Sequence, residues 1–190
     1  MILNTGCRTD IPAYYSEWFL NRIREGFVLA RNPYRPEQVP EEALQEILRA
    51  GLYAPSGMGR QSVKLLAVQD PAAIAALERL NGGVLGSPEA HPFYGAPTVC
   101  VVLADAAAFT AVEDGSLTLG NLMNAAHSLG IASCWIHRAR EVFASAEGKA
   151  LLQQWGVEGE WIGIGHCILG YAAEPEKPAA PRLEGRIVRI

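Results

Sequence analysis

The residues best placed to do chemistry sit on a glycine-rich turn. Gly51-Leu-Tyr-Ala-Pro-Ser-Gly-Met-Gly-Arg-Gln61 carries Ser56, Arg60 and Gln61 between an amphipathic stretch and the apolar run Val63 to Val68. Glycines two apart let a backbone approach a ligand closely and turn its N–H groups outward, while Ser56, Arg60 and Gln61 offer donors for a carbonyl, a ring nitrogen or a phosphate oxygen. The plainer reading is a tight helix-to-strand turn with solvated polar tips. A second cluster, Cys134-Trp-Ile-His137, ends another apolar run, and ligands of layered α/β folds gather at such strand ends. Its plainer reading makes Trp135 a core anchor and His137 a polar strand end. His91, His127 and His166 have no ligand spacing with one another or with the cysteines, which argues against zinc; His166 reads as a satisfied core or interface histidine. No acid–base pair or nucleophilic triad stands out.

The elements that must position these residues follow from periodicity. Ala13 to Phe27 places Trp18, Phe19, Ile23 and Phe27 on one helical face. Pro40, Glu41 and Glu42 open a second helix, with Ala43, Leu44, Ile47 and Leu48 as its buried stripe and Gly51 to close it. A strand is expected over Val63 to Val68, a short helix over Pro71 to Leu80, and a mobile surface loop over Asn81-Gly-Gly-Val-Leu-Gly-Ser-Pro88. Thr98 to Leu103 reads as a strand buried on both faces. A long helix over Glu113 to Leu129 mixes small and polar positions, Leu117, Gly120, Asn121, Asn124 and Ala125, and is placed at a dimer seam. Ile131 to Ile136 is a strand, Ala139 to Trp155 one long helix, and Trp161 to Tyr171 the last strand. From Ala172 the proline-rich tail reads as an extended arm.

Composition narrows the function classes. At 190 residues, one sizeable core is the default. Hydrophobic residues at 49% against 19% charged leave limited polar surface, so a partner subunit is expected to cover apolar area. A net charge of −4 without a basic tract argues against nucleic acid. Cys7, Cys100, Cys134 and Cys167 lack C-x-x-C spacing, which fits a reduced, cytoplasmic chain, and neither a signal peptide nor a membrane span is expected.

From about residue 34 to 190 the chain resembles the nitroreductase family. The likeness rests on four collinear blocks: Val39-Pro-Glu-Glu-Ala-Leu-Gln-Glu-Ile-Leu-Arg-Ala-Gly51 leading into the Ser56 turn; Pro92-Phe-Tyr-Gly-Ala-Pro-Thr-Val99; Glu113 to His127 through Ser133-Cys-Trp-Ile-His137; and Gly163-Ile-Gly-His-Cys-Ile-Leu-Gly-Tyr171. Residues 2 to 33 look instead like the opening of a different, uncharacterised bacterial family, so the chain divides into an atypical segment, 1–33, and a nitroreductase-like domain, 34–190.

That resemblance implies an α/β (α+β) sandwich, with a mostly antiparallel central sheet flanked by helices and the C-terminal arm crossing to a second subunit. It implies flavin mononucleotide (FMN) bound between two subunits of a homodimer, contacted by Pro55, Ser56, Gly57, Met58, Arg60 and Gln61 and by Cys134, Trp135, Ile136 and His137. Many relatives carry asparagine where this chain has Gly59, so an amide toward the pyrimidine edge is missing. The Arg-Arg-Ser-like phosphate segment is absent too, leaving Arg31 and Arg35, with Lys177 and Arg182 in the arm. The implied activity is a ping-pong transfer from NADH or NADPH to a nitroaromatic, quinone or similar electron-poor acceptor, with Arg60 or Lys64 stabilising charge on the reduced ring. The alternatives are a flavin-binding protein for storage or sensing, and a structural or interaction protein that lost flavin with its N-terminal phosphate segment.

Overall fold

The computed structural model describes residues 33–174 and 181–190. The helix expected over Ala13 to Phe27, the whole 1–33 segment up to Pro33, Arg31 and Lys177 lie outside the described residues. The elements run α1 (Glu41–Leu52), a short 3-10 turn (Gly57–Gly59), β1 (Val63–Val68), α2 (Pro71–Leu85), β2 (Thr98–Asp105), α3 (Ala111–Ser128), β3 (Ala132–Ile136), α4 (Ala139–Ala144), α5 (Ala146–Gln154) and β4 (Trp161–Gly170).

The four strands form one antiparallel sheet in the order β1-β2-β4-β3. β2 and β4 are central, and all but the last residue of β2 is buried, as its unbroken apolar run requires. Side-chain alternation divides the core. Val99, Val101, Leu103, Cys134, Ile136 and Ile168 face one way with Leu77, Phe93 and Phe143, while Cys100, Val102, Cys167 and Leu169 face the other with Ile47, Leu119 and Leu122. Helices α1 and α3 cover the second face; α2, α4 and α5 cover the first. The arrangement is the antiparallel α+β sandwich expected, and no described helix is long and apolar enough to cross a membrane.

Several local expectations are corrected. Gly51 does not close α1 but lies inside it, buried; a Cβ there would meet Leu122 Cδ2 at 2.6 Å, so this glycine brings α1 and α3 into close contact. The segment expected to be a loop from Asn81 belongs instead to α2, which continues to Leu85 and ends on Gly86 at φ +79°. A Cβ on Gly82 would meet the Ser87 carbonyl oxygen at 2.9 Å, so what read as punctuation is a close helix-to-turn contact. The long helix expected from Ala139 to Trp155 is two helices: Ser145 leaves helical geometry and caps α5, its hydroxyl accepting the Gly148 N–H at 3.0 Å. Cys100, Cys134 and Cys167 are buried and in no disulfide, and burial pushes the Cys100 thiol up to about 12.

Candidate functional site

The turn after α1 and the end of β3 lie at the same end of the sheet. Ser62 leads into Val63, which pairs with Ala104 and through it with Ile162 at the start of β4, and β3 runs antiparallel to β4 toward that same end. They occupy opposite edges, three strand spacings or roughly 14 Å apart. One chain therefore presents the two candidate surfaces separately, one at each edge.

The Ser56 turn is preorganised by a residue that sequence reasoning passed over. Asp114, buried in the first turn of α3, accepts the Gly57 N–H at 2.8 Å, the Ser62 hydroxyl at 2.6 Å and the Thr110 hydroxyl at 3.2 Å. The Ser62 bond is the largest influence and, with those from Gly57 and Thr110, holds the carboxyl below the usual carboxylate range although burial pulls the other way. Within the turn, Gly59 N–H donates to Ser56 O (2.9 Å), Arg60 N–H to Gly57 O (3.2 Å) and Gln61 N–H to Ser56 Oγ (2.9 Å). The N–H groups expected to point outward at 57, 59, 60 and 61 are thus satisfied internally. What the turn offers a ligand is the side chains of Ser56, Met58, Arg60 and Gln61. Met58 and Gln61 sit at φ +54° and +52°, a left-handed conformation unusual for residues with side chains and concentrated at ligand sites. Gly57 is sterically required, because a Cβ would lie 2.2 Å from Thr110 Oγ1.

Leu52, Ala54, Pro55, Ser56, Gln61, Val63, Asp114 and Thr118 line a cleft of about 120 Å³. Sites that engulf a drug-sized ligand run to about 300–1,000 Å³, so a flat cofactor here would stand mostly on the surface and need a second surface to cover it. Tyr53, Met58 (80% exposed), Phe109 and Leu117 leave exposed apolar area on the same chain.

At the end of β3, Trp135 is 47% exposed, its indole against Gly165 and edge-on to His137 at 5.6 Å. Cys134 and Ile136 point into the core on the opposite face. Arg138 follows at φ +76°, the third strained residue of the two half-surfaces. His166 lies beneath this turn, opposite Ile136, fully buried between Phe93 (5.3 Å) and Phe143 (6.1 Å). The expectation of a core histidine holds, but that of a satisfied one is corrected: the ring lies near the Ile136 and His137 backbone, yet among the described residues neither ring nitrogen has a hydrogen-bond partner. Desolvation lowers its pKa to about 4 and the Arg138 charge adds to that, against the nearby backbone of Ile136 and His137.

The predicted cations are scattered. Arg60 stacks over Phe109 at 5.6 Å beside the turn. Lys64 lies over Trp161 at 4.4 Å, on the face of the sheet opposite Val63 and the cleft. Arg35 stacks on Tyr171 (5.1 Å) and pairs with Glu37 (3.7 Å) beyond the far end of β4; Arg182 is exposed in the tail. Asp114 could have been flagged only as an ordinary first-turn acid, and positive φ at Met58, Gln61 and Arg138 has no sequence signature.

The turn and the strand end thus sit on the two edges of one antiparallel α+β sandwich. The profile of the Nitroreductase family matches residues 30–171, and this chain belongs to that family. A second profile, a domain of unknown function (DUF1848), matches residues 2–50. A nitroreductase with bound FMN from Bacteroides fragilis superposes with a TM-score of 0.80 at 29% identity, covering 90% of this chain and 97% of that one. A nitroreductase with bound FMN from Desulfitobacterium hafniense gives 0.80 at 25% over the same shares. Among curated proteins, an NADH dehydrogenase of Thermus thermophilus is 30% identical over 136 residues, 72% of this chain and 60% of its own length. The chain thus spans somewhat less than two thirds of that relative's length.

Proposed function

We propose that this chain is an FMN-dependent oxidoreductase that works as a homodimer, taking reducing equivalents from NADH or NADPH and passing them, in ping-pong order, to a nitroaromatic, quinone or similar electron-poor acceptor. Bound FMN would supply the hydride and electron chemistry, leaving the protein to bind, orient and tune it. The observation that carries the reading is the pairing of two strained half-surfaces at one end of the sheet, neither of which contains an acid–base pair or an aligned nucleophile. Such surfaces hold a flat group that brings its own chemistry.

In this reading Ser56 and Gln61 support one side of the ring, and the Trp135 to Arg138 backbone of a second copy supports the other. Asp114 keeps the first surface rigid. Arg60, stacked beside the turn, is the cation best placed to favour negative charge developing nearby; Lys64, on the opposite face, is less well placed. The FMN-bound relatives, the place of the half-surfaces on opposite edges of the sheet and the exposed apolar residues around the cleft all support a two-fold assembly. Arg182 remains the described candidate for the phosphate, with Arg31 and Lys177 in reserve; Arg35, paired with Glu37 beyond the opposite end of β4, is poorly placed for it.

The test is the visible absorbance of purified protein before and after FMN addition and desalting, then after NADH or NADPH. Retained absorbance that bleaches with a nicotinamide, on a particle of dimer mass, is the expected result. A preparation that stays colourless overturns the assignment and favours a structural or interaction protein; retained flavin that no nicotinamide bleaches favours storage or sensing.

A further inference from the structure

Asn81 plays no part in the site as read so far, yet both ends of its amide are spent on the site's backbone. The side chain is fully buried in α2. Its Nδ2 donates to the His137 carbonyl at 2.8 Å and its Oδ1 accepts from Arg138 Nε at 2.9 Å. Only one amide orientation satisfies a carbonyl and a guanidinium together, so the assignment is unambiguous. The two partners are consecutive residues, and the second is a non-glycine held at φ +76°, a conformation that persists only where its surroundings impose it. α2 is itself anchored there: Gly86 caps it, and Glu78 Oε1 accepts the Phe93 N–H at 2.9 Å.

We propose that Asn81 is a positioning residue for the cofactor-facing end of β3. By clamping the His137 carbonyl and the Arg138 side chain, it holds the turn left-handed and so presents the backbone after Trp135 in a single geometry. This rests on the flavin reading above but concerns a residue and an element, the last third of α2, that the reading did not use. A residue that merely filled space would pack equally well as leucine; one that clamps a strained turn would not. Arg138 supplies the discriminating variant, because glycine adopts the left-handed conformation without help.

The experiment compares wild type, Asn81→Leu, Arg138→Ala, Arg138→Gly and the Asn81→Leu/Arg138→Gly double variant. Amide hydrogen exchange over residues 134–142 is followed without added ligand, and FMN affinity is measured in parallel. Asn81→Leu and Arg138→Ala are expected to speed local exchange about tenfold or more. Asn81→Leu should also weaken FMN binding about tenfold, the loss expected from one or two buried hydrogen bonds. The double variant should recover most of both losses. A double variant as impaired as Asn81→Leu, or exchange and affinity unchanged by Asn81→Leu, reduces Asn81 to packing and overturns the proposal. Should Asn81→Leu fail to fold, the Arg138 pair decides: equal exchange for alanine and glycine overturns it, faster exchange for alanine alone supports it. A wild type that binds no FMN defeats the functional reading instead, while the exchange series still shows whether the clamp exists.

Discussion

The two half-surfaces solve the same problem with different electrostatics. The Ser56 turn is held by a buried charge, Asp114, which gathers two hydroxyls and one backbone N–H onto one carboxylate. The end of β3 is held by a neutral amide, Asn81, reaching across from α2 above a buried, uncharged histidine. Charge-assisted hydrogen bonds are about twice as strong as neutral ones but depend on the carboxylate staying ionised. An amide bridge is indifferent to its own protonation, whereas the histidine beneath it is not. The turn is therefore expected to be the stiffer surface and the strand end the more acid-sensitive one.

The strongest way to break this contrast is Asp114→Ala, which strands the Gly57 N–H and the buried Ser62 hydroxyl. Loss of about 3 kcal/mol in urea unfolding is expected, with faster proteolysis at the turn; a variant as stable as wild type would show the carboxylate to be dispensable. Acidification should produce an effect of similar size at the other surface. His166 is neutral in the fold with a pKa near 4 and has an ordinary value of 6.5 when unfolded, so between those values the unfolded chain binds the extra proton. Stability then falls as pH drops from 6.5 to 4 and levels below, by about 3 kcal/mol in total. His166→Phe should flatten that slope in urea melts between pH 7 and 4. Asp114, with its pKa depressed in the fold, stabilises above the ordinary carboxylate range and loses this only as pH falls through its lowered value, so the turn should hold after the strand end has loosened.

Gly57→Ala is expected to cost about 2 kcal/mol by driving a methyl into Thr110, and the thermal midpoint would report it. The smallest effect is a gain. Gly59 sits at φ +66° with open space where a Cβ would go, a conformation that asparagine tolerates. Gly59→Asn should leave stability nearly unchanged and add one hydrogen bond toward FMN, about 1 kcal/mol or up to tenfold in affinity by titration. No tightening would mean that the pyrimidine edge lies elsewhere.

Much of this framework could be read from residue patterns. The uninterrupted β-branched run of β2 announced a central strand, and β1 matches its apolar run end to end. The Ser56 turn and the Cys134 to His137 block stood out as ligand-facing because polar groups interrupt apolar runs at element ends. The misread places share one cause. Asn81-Gly-Gly and Gly51 looked like breaks because glycine and asparagine favour turns, yet each is dictated by a packed neighbour: the Ser87 carbonyl in the following turn for Gly82 and, far away in sequence, Leu122 for Gly51 and the β3 turn for Asn81.

Local sequence was therefore sufficient for the order of the strands and the buried runs, because periodicity and composition act over a few residues. Tertiary structure alone decided how the two candidate surfaces are held. Asp114 meets Gly57 across 57 positions, and Asn81 meets His137 across 56 beside the left-handed Arg138. A left-handed backbone at an ordinary residue is a property of the packed molecule, since no local preference would choose it.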